Sequence, residues 1–445
     1  MTDTIYALAS ARGQAGVAVV RVSGMHALES LKAFTNDADV IYRRALLRKL
    51  IRPVSRETLD NAIVVAFKSP YSYTGEDVVE YHLHGGTAVV QGVLDALGAL
   101  DHYRMAEPGE FTRRAFENGK MDLTEAEAIA DLIHAETQLQ KDQALLQMGG
   151  ALAEIYDGWR EGLTKILAYV EAEIEFPDED LPDSILPTIT PKIIEMTAEI
   201  DAHLNDNRRG ERLRDGIHVA VIGAPNVGKS SLVNALTRRD VAIVSDIAGT
   251  TRDVIEAHLD IGGYPVILSD TAGLRPEQIG AQGQDLIESE GIRRALKIAK
   301  EADIRVILYD ATWGKPDEHS LALEQQENTI VVMNKVDKEI KLNHPGDPLR
   351  ISVVRNEGIT EFLERLTQVI RGLVGKNEAP ALTRQRHRDA LVDCRASLDR
   401  CLKAPLPELT AEDLRLAVRH LGRITGRVDV EDLLDVIFRD FCIGK

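Results

Sequence analysis

Gly223-Ala224-Pro225-Asn226-Val227-Gly228-Lys229-Ser230 is a complete G-x-x-x-x-G-K-S run, the pattern of a loop that wraps phosphate oxygens. It follows the apolar stretch Ile217-His218-Val219-Ala220-Val221-Ile222 and precedes Ser231-Leu232-Val233-Asn234-Ala235-Leu236. That is a strand, a turn and an amphipathic helix, the context the motif requires. The glycines let backbone N–H groups turn inward at a helix N-terminus. Asn226, Val227, Gly228 and Ser231 belong to the same cradle. Lys229 is placed to reach the β- and γ-phosphates, and Ser230 to ligand Mg²⁺.

Working outward, residues 215–376 alternate apolar strands with helical stretches, which predicts a doubly wound parallel sheet. The strand candidates are 217–222, 264–269, 304–309, 329–333 and 349–352. Asp270-Thr271-Ala272-Gly273 closes one of them. Asp270 suits the Mg²⁺ shell, and the N–H of Gly273 suits the γ-phosphate. Asn334-Lys335-Val336-Asp337 closes another. A carboxylate at Asp337 can accept from guanine N1–H and N2–H₂, a donor pair that adenine lacks, so ATP is penalised. Each tetrapeptide alone reads equally as a strand-end turn; all three in order leave a GTP-binding fold as the economical reading.

Between them lies Val244-Ser245-Asp246-Ile247-Ala248-Gly249-Thr250-Thr251-Arg252-Asp253, polar and Gly-containing, as a switch loop is. Thr251 is the candidate to complete the Mg²⁺ sphere when the γ-phosphate is present. Asp246, Ile247, Gly249 and Thr250 are further cofactor-binding candidates, and Arg252 and Asp253 are candidate catalytic positions. After Asp270–Gly273 comes Leu274, so the water-positioning Gln of Ras-type enzymes is missing. Another group must orient the water, and the transition state needs a positive partner, for which Arg252 and Arg275 are nearby candidates and a monovalent cation is another.

At 445 residues the chain has room for two to four domains of ~150 residues each. Residues 1–118 read as mixed α/β, with strands at Gly16–Val22 and Ala62–Phe67 and a helix at Ala88–Leu97. Thr124 and Glu127 have capping-box spacing ahead of Ala128–Ile133. Helical patterns then run to about 176. The Pro- and acid-rich Phe176–Pro182 breaks them, and another helix ends near Arg214. From about 380 to 441 the chain is helical again, with Thr410 and Asp413 as its candidate cap. The expected boundaries are 1–118, 119–214, 215–376 and 377–445, with 215–376 inserted into a helical domain formed by 119–214 and 377–445.

Apolar residues make up 44% of the chain and charged ones 28%, ordinary for a globular protein. No apolar run approaches the ~18 residues of a membrane span, and the N-terminus lacks a basic, apolar leader. Cys394, Cys401 and Cys442 form neither metal-ligand spacing nor a disulfide framework, so a reducing cytoplasm is expected. The net charge of −18 opposes non-specific nucleic-acid binding and confines any RNA contact to a local basic patch or a partner protein. His82 and His84 lack a carboxylate or Cys constellation and read as surface or loop residues, not metal ligands. Cys442 reads either as a nucleophile or as a small buried terminal residue.

Beyond the nucleotide motifs, the chain carries Ser72-Tyr73-Thr74-Gly75-Glu76-Asp77-Val78-Val79-Glu80, His84-Gly85-Gly86, Pro108-Gly109-Glu110-Phe111-Thr112, the run Lys120–Ile133 and the ending Phe441-Cys442-Ile443-Gly444-Lys445. In these, over essentially its whole length, it resembles the MnmE (TrmE) family of tRNA-modifying GTPases. The resemblance implies an N-terminal α+β domain that binds folate and dimerises, then a Ras-like P-loop GTPase domain inserted into a helical domain. It implies GTP hydrolysis coupled to carboxymethylaminomethyl or aminomethyl addition at C5 of the tRNA wobble uridine, with a flavoprotein partner, MnmG (GidA). It implies Mg²⁺, K⁺ and 5,10-methylene- or 5-formyl-tetrahydrofolate, and a homodimer. Asn226, with Ser245, Ile247 and Thr250, matches the family's K⁺ site. Arg21, Glu80, Lys120 and Lys445 match its folate contacts, and Phe441–Lys445 its ending, within which Cys442 stays open as a catalytic candidate. Glu288, with Glu290 as the alternative, matches the glutamate that orients water. Ser352 is followed by Val353 where the family has Ala. A regulatory GTPase of ribosome assembly would share the nucleotide motifs but add a basic RNA-binding appendage, and no such segment follows residue 376.

Overall fold

A computed structural model describes residues 3–35, 39–175, 186–239, 241–243, 256–270, 297–316, 318–375, 380–428, 431–439, 441 and 443–444. The chain divides into two compact units. One comprises Met1–Ala130, Met148–Thr164 and Val418–Lys445, the other Asp131–Gln147 and Lys165–Ala417.

In the first unit, Thr4–Leu8 (β1), Ala15–Ser23 (β2), Leu46–Ile51 (β3), Thr58–Phe67 (β4), Val78–Gly85 (β5) and Tyr103–Met105 (β6) form one sheet in the order β3-β4-β5-β2-β1-β6. All its pairings are antiparallel except β1 with β6. Alternation decides its two faces. Val20, Val22, Val79, Tyr81 and Leu83 are buried with Leu31 and Phe34 of the helix Ala27–Phe34 and with Val93 and Leu97 of the helix Thr87–Gly98. Each such side chain, fully buried, contributes roughly 1.5–3 kcal/mol. The intervening residues Arg21, Glu80 and His82 stand on the opposite face. Strands expected at 16–22 and 62–67 are β2 and β4, both longer than read, and the expected helix at 88–97 is Thr87–Gly98.

Two caps differ from the sequence reading. The helix Leu123–His134 begins at Asp122, not Thr124. The Asp122 carboxylate accepts from the N–H groups of Thr124 (2.6 Å) and Glu125 (3.1 Å), and Glu125 accepts from the Asp122 N–H (2.8 Å). The reciprocal box is thus two residues earlier, with Asp as the N-cap. Thr410 lies inside the helix Pro407–Thr425 and bonds back to the Leu406 carbonyl, while Asp413 pairs with Arg400. Proline supplies the first turn there, since its missing N–H is an orphan in any case.

The second unit is built on Ile217–Ile222 (β7), Glu256–Ile261 (β8), Tyr264–Asp270 (β9), Ile304–Asp310 (β10), Thr329–Asn334 (β11) and Leu349–Arg350 (β12), in the order β12-β11-β10-β7-β9-β8. Every pairing is parallel except the β8–β9 hairpin. Its two-residue turn, Gly262-Gly263, has φ of 63° and 90°, the twist-matched turn that needs positive φ twice. Both faces of this sheet are covered. Val219 and Val221 pack with Leu232 and Leu236 of the helix Lys229–Thr237 and with Phe362 and Leu366 of the helix Ile359–Val374. Ala220, Ile222, Ile307 and Tyr309 pack with Ala299, Leu323 and Met333 on the other side. Burial on both faces explains why β7, β10 and β11 are nearly continuous apolar runs. The last expected strand, 349–352, is shorter: β12 ends at Arg350, and Ser352 forms a single bridge with Glu357.

The chain reaches β7 through the helix Arg209–Asp215 and leaves the helix Ile359–Val374 toward Ala381–Thr383. These two linkers touch. A Cβ on Gly210 would fall 2.3 Å from the Leu382 carbonyl oxygen, and the Arg214 guanidinium donates to the Thr383 carbonyl at 2.8 Å. Gln140, Gln143 and Gln147, spaced along one face of the helix Gln138–Met148, donate to the carbonyls of Arg214 (3.1 Å), Gly210 (3.1 Å) and Ala381 (3.5 Å).

Candidate nucleotide site

The loop after β7 is shaped by three positions in the positive-φ region: Gly223 (155°), Asn226 (63°) and Gly228 (109°). Glycine is required at two of them on spatial grounds as well. A Cβ on Gly223 would lie 2.4 Å from the Leu308 carbonyl oxygen, and one on Gly228 would lie 2.3 Å from Asn334 Nδ2. Asn226 tolerates its left-handed turn as Asn often does. The helix starts at Lys229, and the first N–H groups of any helix have no carbonyl within it to bond, which makes this end a place for an anion. Lys229 is buried, and its ammonium donates to the carbonyls of Gly223 (2.7 Å) and Ala224 (3.1 Å). The cation is thereby held against the loop's own carbonyls.

Two consecutive residues at the end of β11 hold this loop from outside. Asn334, 3% exposed, donates through Nδ2 to the Val227 carbonyl (2.9 Å) and accepts from the Val353 N–H (3.3 Å). Lys335 donates to the Asn226 carbonyl (2.8 Å) and to Asp310 Oδ2 (2.6 Å). Asp337 accepts from the Ser352 hydroxyl at 2.7 Å. That bond holds its carboxyl below the ordinary carboxylate range, Arg355 and Lys338 adding to it. Asp337 is therefore ionised and acceptor-only at neutral pH, as recognition of a two-donor base edge demands. Desolvation opposes the charge of Asp310, yet the Lys335 ammonium and the Thr312 hydroxyl and N–H outweigh it and keep this carboxyl low too.

The sequence-predicted residues Asn226, Val227, Gly228, Lys229, Asn334 and Lys335 are thus brought together, with Ser230 and Ser231 in the first turn of the helix and Asp337 two residues beyond Lys335, bonded to Ser352. Asp270 ends β9, its backbone beside Val221 of β7. Ser245, Asp246, Ile247, Gly249, Thr250, Thr251, Arg252, Asp253, Thr271, Ala272, Gly273, Arg275, Glu288 and Glu290 lie outside the described residues, as do the break at Phe176–Pro182, Cys442 and Lys445. Reading the sequence missed Asp310 and the Ser352–Asp337 bond. A signal for Asp310 existed: an Asp closing a central parallel strand sits where ligands of such sheets bind.

A second constellation lies on the other face of the first unit's sheet, beside the small cluster of Ile5, Ala7 and Phe111. Arg21 and Glu80 are register partners on β2 and β5, paired at 3.0 Å. The Arg21 guanidinium sits 5.1 Å from the centre of the Tyr73 ring and 5.6 Å from that of Phe111, distances at which cation–π attraction operates. His82 faces Glu80 at 3.5 Å, and its buried Nε2 has no hydrogen-bond partner. Lys120 is placed differently, its ammonium donating to the Pro70 carbonyl at 2.9 Å. His82 and His84 are strand residues of β5, not loop residues, and His84 bonds Asp60 at 2.8 Å. Among the described residues there is no cluster of His, Cys, Asp and Glu able to hold a metal, and no helix long and apolar enough to cross a membrane.

A strand, a glycine loop and a helix, locked to an Asn-Lys-x-Asp turn on a doubly wound sheet, define the second unit as a P-loop GTPase fold. The sequence profile described as "MnmE helical domain" matches residues 123–442, and that described as "GTP-binding protein TrmE N-terminus" matches residues 4–120. The tRNA modification GTPase MnmE of Parvibaculum lavamentivorans is 53% identical over 447 residues, with 100% of both chains covered. That of Paramagnetospirillum magneticum is 50% identical over 450 residues, again with 100% of both covered. The solved G domain of the T. maritima FeoB iron transporter is similar at 29% identity over 34% of this chain and 98% of that one, with a TM-score of 0.24. The chain belongs to the MnmE (TrmE) family of tRNA modification GTPases, and it is a GTPase.

Proposed function

We propose that this chain hydrolyses GTP to drive carboxymethylaminomethyl or aminomethyl addition at C5 of the tRNA wobble uridine, with a flavoprotein of the MnmG (GidA) type as partner. The observation that carries the nucleotide half is the pair of bonds from Asn334 and Lys335 to successive P-loop carbonyls. They join the base-recognition turn to the phosphate cradle. Asp337, ionised and oriented by Ser352, selects guanine.

The donor sets fit the implied cofactors. For Mg²⁺, Ser230 stands in the first turn of the helix and Asp270 ends the neighbouring strand, with Thr251 from the switch segment. For K⁺, Asn226 stands at a left-handed turn whose carbonyl is already committed to Lys335. Its side chain remains to join Ser245, Ile247 and Thr250. A cation there supplies the positive charge that an arginine supplies in other GTPases. Glu288, or Glu290, orients the water. Arg252 and Asp253 belong to the switch, with Asp246, Gly249, Thr271, Ala272 and Gly273 around the nucleotide.

For a reduced folate, the Arg21–Glu80 pair, the Tyr73 ring and the His82 imidazole offer charge, an aromatic surface and hydrogen bonding on one face. A pterin with a donor edge and an acidic tail requires those features. Lys120, Lys445 and Cys442 join this assignment through the family resemblance. We assign residues 1–118 to the folate and dimerisation domain, 119–214 and 377–445 to the helical domain and 215–376 to the inserted G domain. The chain works as a cytoplasmic homodimer. With a net charge of −18, it meets tRNA through a local patch or through its partner.

Mass spectrometry of wobble uridines from cells lacking the protein tests the reading. Loss of the C5 group is expected, and unchanged modification overturns it. GTP turnover should rise in KCl over NaCl and lose that response in Asn226→Ala. Equal turnover of the wild type in both salts removes the K⁺ assignment.

A further inference from the structure

Asp310 closes the central strand β10 with its side chain 3% exposed. A carboxylate so enclosed is costly unless every oxygen is answered. Oδ1 accepts from the Thr312 N–H (2.9 Å) and hydroxyl (2.7 Å), an arrangement local to its own turn. Oδ2 accepts from the Lys335 ammonium at 2.6 Å, and that same ammonium donates to the Asn226 carbonyl at 2.8 Å. Lysine carries a flexible four-carbon stem, and its head goes where oxygens place it. Here two oxygens fix it, one from β10 and one from the P-loop.

The consequence is a matter of peptide geometry. In a trans peptide the C=O and the following N–H point in opposite directions. Lys335 draws the Asn226 carbonyl outward, so the Val227 N–H points back into the cradle. Asn334 draws the Val227 carbonyl outward, so the Gly228 N–H does the same. Two successive N–H groups are thus aimed where a phosphate oxygen would sit. The first depends on where the Lys335 ammonium is held.

We propose that Asp310 is a positioning residue of the nucleotide site. Its carboxylate pins Lys335 on the Asn226 carbonyl and so sets both the Val227 N–H and the turn that presents the Asn226 side chain. It touches neither nucleotide nor cation itself. Asp310→Asn keeps the shape and the Thr312 contacts but removes the charge that holds the ammonium. The peptide then rotates more freely, and two properties decline together: nucleotide affinity, through the N–H, and response to K⁺, through Asn226. A role in stability alone would lower the melting temperature and leave the K⁺ response of the folded enzyme unchanged.

The proposal rests on the GTPase and K⁺ reading above, and the test separates the two. The full-length chain and its variants are titrated with N-methylanthraniloyl-GDP, and GTP turnover is followed against KCl at constant ionic strength, below the melting transition of each variant. Asp310→Asn is expected to bind the nucleotide about 10- to 100-fold more weakly, the range for loss of a charge-assisted bond. Its half-activating KCl concentration is expected to rise at least about threefold. Asp310→Glu, which keeps the carboxylate one methylene further out, should recover part of both. Because Asp310 acts through Lys335, Asp310→Asn in a Lys335→Met background should add little to the loss from Lys335→Met alone.

A wild type without K⁺ stimulation overturns the cation reading. A K⁺-stimulated wild type with a folded Asp310→Asn of unchanged affinity and unchanged K⁺ response overturns the positioning role. Full additivity with Lys335→Met overturns it as well. Should Asp310→Asn fail to fold, Asp310→Ser, which also removes the carboxylate, carries the same comparison, and wild-type behaviour in both readouts overturns the proposal.

Discussion

Gly228→Ala puts the geometry of the cradle to a quantitative test. Two costs are separable in the structure. At φ of 109° an L side chain is strained, about 1–3 kcal/mol for a sparsely populated backbone region. The new Cβ would also stand 2.3 Å from Asn334 Nδ2, which cannot stay where it is. Moving it breaks the 2.9 Å bond to the Val227 carbonyl, another ~1–3 kcal/mol for an acceptor left without its partner. The sum is about 4 kcal/mol, or roughly a thousandfold in nucleotide affinity. Asn334→Ala alone removes the same bond and the contact to the Val353 N–H, about 3 kcal/mol in all. The two changes share one bond and one clash, so they cannot add. The double variant should lose about 5 rather than 7 kcal/mol, a coupling of about 2 kcal/mol. Fluorescence titration of all four proteins with N-methylanthraniloyl-GDP measures it. Strict additivity would refute the claim that Asn334 is what the Gly228 site must leave room for.

Three further outcomes are expected. Gly210→Ala should lower thermal stability by about 1–3 kcal/mol, because its Cβ meets the Leu382 carbonyl. Gly158→Ala, with open space around it inside the helix Ala151–Glu175, should raise stability by about 0.5–1 kcal/mol; paired melting curves compare the two. Desolvation opposes the charge on Glu211, but Arg388 and Arg208 outweigh it and hold the carboxyl below its ordinary 4.5. A lowered folded-state value contributes stability that is complete above about pH 4.5 and disappears as pH falls through that lower value. Urea unfolding of Glu211→Gln should therefore show a deficit at pH 7 that shrinks on acidification; a constant deficit down to pH 3 would contradict it. Burial pushes the Cys394 thiol up to about 12, and burial with Asp413 nearby pushes Cys401 up to about 11. Neither should alkylate with iodoacetamide at pH 8 in the folded protein, and both should in urea, as peptide mass mapping would show.

What was legible in the sequence follows burial. β7, β10 and β11 are enclosed on both faces, so their apolar runs stand out. β8, Glu256-Ala257-His258-Leu259-Asp260-Ile261, is an edge strand that alternates polar and apolar, and it escaped a reading tuned to continuous runs. β5 was hidden for a related reason. Its alternate residues Glu80, His82 and His84 stand off the packed face, so the strand looked like a polar, functional segment. The cap at Asp122 was missed because Asp122–Glu125 and Thr124–Glu127 both carry box spacing, and only the hydrogen bonds tell which closes. In the site, residue types at fixed spacing marked Lys229 and Asp337. Asp310 and Ser352 hold those motifs in place from sequence-distant positions, and such support is visible only once the strands are ordered.

The meeting of Gly210 with Leu382 bears on how such a chain could have been assembled. A fold whose two ends leave it within a carbonyl's reach of each other is, to its host, a loop already closed at the base. Closure entropy grows only with the logarithm of loop length, about 0.6 kcal/mol for each doubling. Lengthening or trimming what lies beyond Gly210 and Leu382 therefore costs the surrounding helices little. The three glutamines that grip this neck bind main-chain carbonyls, not side chains. Gly210 apart, where only a glycine fits, they are indifferent to which amino acids the neck carries, so a graft of unrelated sequence could be held by the same grip from the moment it arrived.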